Sequence, residues 1–245
     1  MKLKTFILLL LLLLPFSALA QGLPTITLGI GEATEPGEVS TALQIIVMLT
    51  ILSVAPAILL MTTGFTRIVI VLSFVRQAMG TQQAPSNQIV IGLAMFLTFF
   101  VMAPVYQQVN DNALQPYLDK KIDQEQAITA ALTPMRDFMF AQVNEKDLQF
   151  LVDISRSPQP EDQQDISLLT LIPAFMLSEL KRAFQMGFLI FVPFLMIDMI
   201  VASVLMAMGM MMLPPIIISL PFKILLFVLV DGWTLVIGSL VQSFG

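Results

Sequence analysis

Neither cysteine nor histidine occurs among the 245 residues. Disulfides, thiol nucleophiles, imidazole bases and the usual zinc ligands are therefore excluded. Charge is scarce too: Asp, Glu, Lys and Arg make up 12% of the chain, against about 25% in ordinary soluble domains. Sparse basic residues in a chain of net charge −5 leave no footprint for nucleic acid. There is no nucleotide-binding loop and no catalytic constellation, so neither catalysis nor a bound metal or cofactor is expected. What is abundant is apolar surface. Hydrophobic residues reach 57%, and the mean hydropathy of +0.87 marks a membrane chain.

The N-terminus reads as a cleavable signal peptide over residues 1–20. Lys2 and Lys4 form a basic start, Phe6 to Leu14 an apolar stretch, and Ala18-Leu19-Ala20 a small-residue cleavage site that leaves Gln21 as the first mature residue. Residues 21–40, with glycines, prolines and three glutamates, read as a flexible exported lead-in that Ser40 or Thr41 ends by capping a helix. Residues 41–106 hold a first pair of apolar helices, Ala42–Met61 and Gln88–Tyr106, and Pro56 should kink the first. Between them, Thr62–Asn87 carries Arg67 and Arg76 and no acid, which places this connection on the cytoplasmic side. Its arginines could meet lipid phosphates, structural carboxylates or a partner.

The character then changes. Residues 107–165 hold eleven of the 17 acids and five of the 12 bases. They read as an exported subdomain of short amphipathic helices, with Phe138, Phe140 and Phe150 packing a small core or meeting a neighbouring copy. Ser157–Asp162 is a loop. Residues 166–245 return to apolar chain: Ile166–Leu177, too short to span; the charged step Glu179, Lys181, Arg182; and two long segments, Met186–Met212 and Ile216–Val241.

This simple topology strains. Asp198, Lys223 and Asp231 fall inside the last two segments, where an ionisable group facing lipid is costly. Irregular backbone at membrane depth is tolerated only inside protein or beside an aqueous cavity. The helices are therefore expected to pack against other subunits, and some need not cross a bilayer. Glu179 and Lys223 are the favoured ion pair, within or between copies. Asp198 suits a proton site, an ion ligand or a structural acceptor; with no second carboxylate nearby, the structural role is favoured. Asp231-Gly232-Trp233 marks a helix end with an aromatic anchor.

A methionine run, Met206-Ala207-Met208-Gly209-Met210-Met211-Met212-Leu213-Pro214-Pro215, breaks the apolar chain. Unbranched thioether side chains pack against many shapes, and two prolines end regular helix. Deformable side chains on irregular backbone suggest a constriction that closes and then gives way.

The stretches PAFMLSELKRAFQMG (173–187), GMMMLPP (209–215) and PFKILLFVLVDGW (221–233) resemble the FliP family, the P subunit of the flagellar export gate, related to the SctR subunit of injectisomes. The order of signal, two apolar segments, acidic insert and two further segments fits along essentially the whole chain. The resemblance implies an all-α fold of membrane-type helical hairpins with an exported helical insert, built into a helical hetero-oligomeric pore of the type III secretion system. It implies as partners other copies of the chain, the Q and R gate subunits, other membrane proteins of the export apparatus, membrane lipid and unfolded flagellar substrates. The setting would be the flagellar basal body in the bacterial inner membrane, with much of the chain on the periplasmic side. The family's methionine gasket carries onto Met210, Met211 and Met212, with Met208 beside them, and its inter-subunit ion pair onto Glu179 and Lys223. The competing reading is a proton-coupled secondary transporter using Asp198, Glu179 and Asp231, against which stands the lack of an internal repeat. A membrane enzyme ranks third.

Overall fold

Buried residues Ile68, Val71, Leu72, Val75 and Ala78 recur at intervals of three, one, three and three, which makes one broad stripe along a helix. In the computed structural model this stripe belongs to the innermost helix of an all-α chain. The structure describes residues 36–81, 84–155, 160, 162–210 and 212–245, with side chains from Ile45 onward. No strand occurs among the described residues. The expected cleavage site at Ala20 and Gln21, most of the lead-in, most of the Ser157–Asp162 loop and Met211 lie outside them.

Residues 1–50 and 51–245 form separate units. Helix α1 (Pro36–Met61) starts in the first and ends in the second. Its described part runs from Pro36 through Ser40 and Thr41, which therefore lie inside the helix and do not cap it. Within the second unit α1 ends at Thr62, whose hydroxyl donates to the Ile58 carbonyl, and the chain turns by 63° into α2 (Phe65–Ala78). Gly64 at the turn leaves room for Phe244: a Cβ there would meet its ring at 2.7 Å.

Helix α3 (Asn87–Val109) runs through one wide turn, Asn110–Leu114, into the short α4 (Gln115–Leu118), giving 32 continuous residues from Asn87. The insert follows as α5 (Gln124–Gln142) and α6 (Glu145–Ser155). Asp123 caps α5 reciprocally: its carboxylate accepts from the Gln126 amide at 2.8 Å, while the Gln126 side chain accepts from the Asp123 amide. Phe138 and Phe140 do pack into a small core, but that core is shared with Leu171 and Phe175 further along the chain. Phe150 is 56% exposed and takes no part in it.

Helix α7 (Leu168–Ala207) differs most from the hydropathy reading. The short apolar run, the charged step Glu179–Arg182 and the long apolar segment after it form one helix of 40 residues, through Pro173 and Pro193. Hydropathy falls at those charges, but Glu, Lys and Arg are good helix formers, and each finds a partner. Each proline costs one backbone bond, and both prolines lie on exposed positions of the helix. Conversely, the single expected segment 216–241 is two helices, α8 (Pro215–Leu229) and α9 (Gly232–Gln242), bent by 63°. Asp231 adopts φ +50° at the bend. Gly232 follows because a Cβ there would lie 2.3 Å from the Phe227 ring.

The main core gathers the α2 stripe with Val90 and Ala94 of α3, Ala183 and Phe194 of α7, Phe227 of α8, and Val236 and Leu240 of α9. Each fully buried aliphatic side chain contributes about 1.5–3 kcal/mol. Among the described residues, two helices are long and apolar enough to cross a membrane, or up to four if each bent pair counts as one span.

Candidate functional site: the methionine loop and its polar anchors

Four features stand out in this chain, three polar clusters and one apolar loop. The first is centred on Arg67, on the face of α2 toward α7. Its Nε donates to Glu179 Oε2 at 2.9 Å, and a terminal nitrogen reaches Glu179 Oε1. The other contacts go to Gln142 Oε1 (2.9 Å), the Ser243 carbonyl (2.7 Å) and the Ser243 hydroxyl (2.9 Å). These five bonds match the five N–H donors of a guanidinium. Its plane lies 3.8 Å from the Phe244 ring centroid. Arg67 and Glu179 are both 0% exposed. Gln142 also accepts from Arg182 and donates to the Phe244 carbonyl, so α2, α5, α7 and the chain end meet here.

This cluster overturns a topological expectation. The connection carrying Arg67 was expected on the cytoplasmic side and the insert carrying Gln142 on the exported side, yet the two side chains are 2.9 Å apart. About 30 Å of hydrocarbon cannot lie between them.

The second feature holds the insert to α7. Asp147, near the start of α6, accepts from Ser178 Oγ at 2.9 Å and pairs with Lys181; Ser178 in turn accepts from the Asn144 amide. Burial pushes the Asp147 carboxyl up, but the Lys181 and Ser178 hydrogen bonds and the Lys181 charge outweigh it and hold it below its ordinary value.

The third joins α7 to α8. Asp198 Oδ2 accepts from Lys223 Nζ at 2.6 Å, and Oδ1 from Ser219 Oγ at 2.5 Å. Within the chain, the two members of the expected Glu179–Lys223 pair thus have other partners. Glu179 is held by Arg67 and Lys223 by Asp198. Sequence spacing carried a usable signal for the second pairing: Asp198 lies ten residues before Met208 and Lys223 nine after Pro214, so an antiparallel hairpin sets them opposite one another. Nothing comparable links Arg67 to Glu179, 112 residues apart.

The fourth is the methionine loop between α7 and α8. Gly209, at φ +75°, ends α7: the Met210 amide donates to the Leu205 carbonyl and the Gly209 amide to that of Met206, both at 3.0 Å. Such a paired cap requires a left-handed residue, which glycine adopts freely. Pro214 is extended, and Pro215 opens α8. Met208 just before the first stop, and Met210 and Met212 between the two, are exposed, Met212 at 97%. Met208 also reaches an apolar groove of about 660 Å³ between α7 and α8, lined by Val201, Leu205, Phe222 and Leu226 among others. Asp231 is exposed at its bend; Trp233 packs edge-on against Phe227 at 5.3 Å.

Three polar clamps hold helices together, and one loop presents flexible apolar side chains. A sequence model of the FliP family matches residues 48–240. The flagellar biosynthetic protein FliP of Bacillus subtilis (strain 168) is 55% identical over 217 residues, covering 89% of this chain and 98% of the relative. That of Caulobacter vibrioides is 50% identical over 232 residues, 95% of this chain and 86% of the relative. In Aquifex aeolicus the flagellar biosynthetic protein FliP is 46% identical over 224 residues, 91% and 92% of the two chains. With a family match over most of its length and relatives this close along nearly all of theirs, the chain belongs to the FliP family.

Proposed function

We propose that this chain is a pore-forming subunit of the flagellar type III secretion export gate in the bacterial inner membrane. It assembles with further copies of itself and with the Q and R subunits to conduct unfolded flagellar proteins outward. The relatives' names support the flagellar setting. The observation that carries the pore is the methionine loop, whose ends are fixed by a glycine cap and a proline start while Met212 stands almost fully exposed at 97%. Exposed thioethers on a firmly anchored turn suit a seal. They close by apolar contact and reshape around whatever chain passes, where β-branched side chains are stiff at χ1.

Two further observations favour an assembly set partly outside the bilayer. A helix of 40 residues is about 60 Å long, twice the hydrocarbon thickness of about 30 Å. The insert and α2 share one buried guanidinium and so lie on one side. A Glu179–Lys223 pair between copies would require both groups to leave Arg67 and Asp198. A proton-coupled carrier gains little support, since Asp198 is already neutralised by Lys223 at 2.6 Å.

The test is to change Met210, Met211 and Met212 together to Ala in the assembled gate and follow ion leak across the membrane. A leak well above wild type is expected. A triple variant as ion-tight as wild type moves the seal elsewhere.

A further inference from the structure

We propose that Ser243 and Phe244, the two residues that follow α9, are a strap coupling the insert to α9, so that ordering either one orders the other. The coupling does not depend on the methionine loop being the seal.

Both residues extend the last turn of α9. Their amides donate to the Ser239 and Val241 carbonyls at 3.1 and 3.2 Å, and the Ser243 hydroxyl donates to the Leu240 carbonyl at 2.7 Å. With its proton committed, that hydroxyl faces Arg67 as an acceptor beside the Ser243 carbonyl. From the insert comes Gln142, the last residue of α5, which is buried. Its Oε1 accepts from Arg67 and Arg182, each at 2.9 Å, which leaves one orientation for the amide. Nε2 then donates to the Phe244 carbonyl, also at 2.9 Å. These bonds close a ring through Arg67, Gln142, Phe244 and Ser243. The Phe244 side chain completes the join. It lies 3.8 Å from the Arg67 guanidinium, stacks on Phe138 of α5 with centroids 6.4 Å apart, and fills the space left at Gly64.

A ring of this kind opens as a unit. Withdrawing Ser243 and Phe244 strips Arg67 of two acceptors and leaves the buried Gln142 amide without one. A buried polar group left unpaired costs more than the net worth of its bond, so the end of α5 gains little by staying in place alone. The same holds in reverse, since coupling free energies are reciprocal. Gln142 and Phe244 are 102 positions apart, so the link is tertiary and not passed along the chain. Through the bend at Asp231 it continues from α9 into α8, the helix that starts at the methionine loop.

Amide hydrogen exchange on the purified assembly reads both ends at once. Gln142→Glu keeps the volume and the oxygen that both arginines hold, but has no donor for the Phe244 carbonyl. It should speed exchange several-fold at residues 240–244, where nothing has been changed. Phe244→Ala should in return speed exchange several-fold at residues 138–143. The double variant should exchange no faster at either end than the faster single variant, because one ring is broken only once. Acceleration confined to the substituted element overturns the proposal, and so do additive effects in the double variant. Equal acceleration across the first half of α7 is general loosening and overturns it too. If Phe244→Ala yields no assembly, Phe244→Leu, which keeps apolar bulk without the aromatic face, is read in its place. Loss of the assembly with Gln142→Glu would make the cluster a requirement for assembly and overturn the coupling. Exchange is independent of leak, so an ion-tight Met210, Met211 and Met212 triple variant would reject the gasket and leave the strap standing.

Discussion

The two halves of α7 follow opposite rules. From Leu168 to Gly187 the helix carries Ser178, Glu179, Lys181 and Arg182, yet Leu171, Ala174, Phe175, Ser178, Glu179 and Ala183 are buried in a continuous stripe. From Phe188 to Ala207 it is apolar apart from Asp198 and Ser203, yet Leu189, Met196, Met199, Ile200 and Met206 are exposed. The more polar half is the more buried one. The first half is satisfied inside the chain, where α2, α5 and α6 supply a partner for every charge. The second half must find its cover in lipid or neighbouring subunits, since single exposed apolar residues are ordinary but a whole exposed apolar helix is not. Apolarity here marks what lies against other molecules, and buried charge marks the chain's own core.

The strongest way to break this contrast is Arg67→Met. It strands a fully buried carboxylate and should destabilise the fold by about 3–5 kcal/mol. Little folded protein should be recovered, and what remains should unfold at lower temperature. Normal recovery would mean that the first half of α7 is held by apolar contact alone. Next comes Gly232→Ala, whose Cβ would lie 2.3 Å from the Phe227 ring. Overpacking of this kind costs about 1–3 kcal/mol, and the loss should appear as a lowered unfolding temperature without loss of the Arg67 cluster.

Smaller still is the effect at Asp147. Its carboxyl is held below the ordinary 3.8, so its contribution is present above that value and is lost as pH falls toward the folded pKa. Lys181 is 57% exposed, and solvent screens the pair. Wild type should lose α6 docking modestly below about pH 4, whereas Asp147→Asn should be weaker at neutral pH and flat over that range. Proteolysis of α6 at stepped pH reads the difference. The smallest change in stability, within about 0.5 kcal/mol, is expected from the same methionine triple variant that should leak. That pairing of intact fold with lost seal separates the loop's role from that of the clamps.

Much of this was legible in the sequence. Long apolar runs and the acidic insert gave the all-α class. Pro214-Pro215 marked the loop, because proline acts through its own backbone geometry. Asp231-Gly232 likewise sat at a real helix end. The continuity of α7 was not legible: a dip in hydropathy at Glu179–Arg182 looks the same whether the charges meet water or buried partners. Nor could Phe150 be told from Phe138, since both lie among charged neighbours and only the position of α7 decides which is covered.

By itself the sequence determined which stretches avoid water and where a flexible apolar turn must fall. These depend on local chemistry: side-chain volume, backbone freedom and hydropathy over a few neighbouring residues. The tertiary structure alone decided which charge meets which. Arg67 took Glu179, Asp147 took Lys181 and Asp198 took Lys223. Coulomb and hydrogen-bond energies fall off over a few ångströms, and only the folded chain brings residues as much as 112 positions apart within that reach.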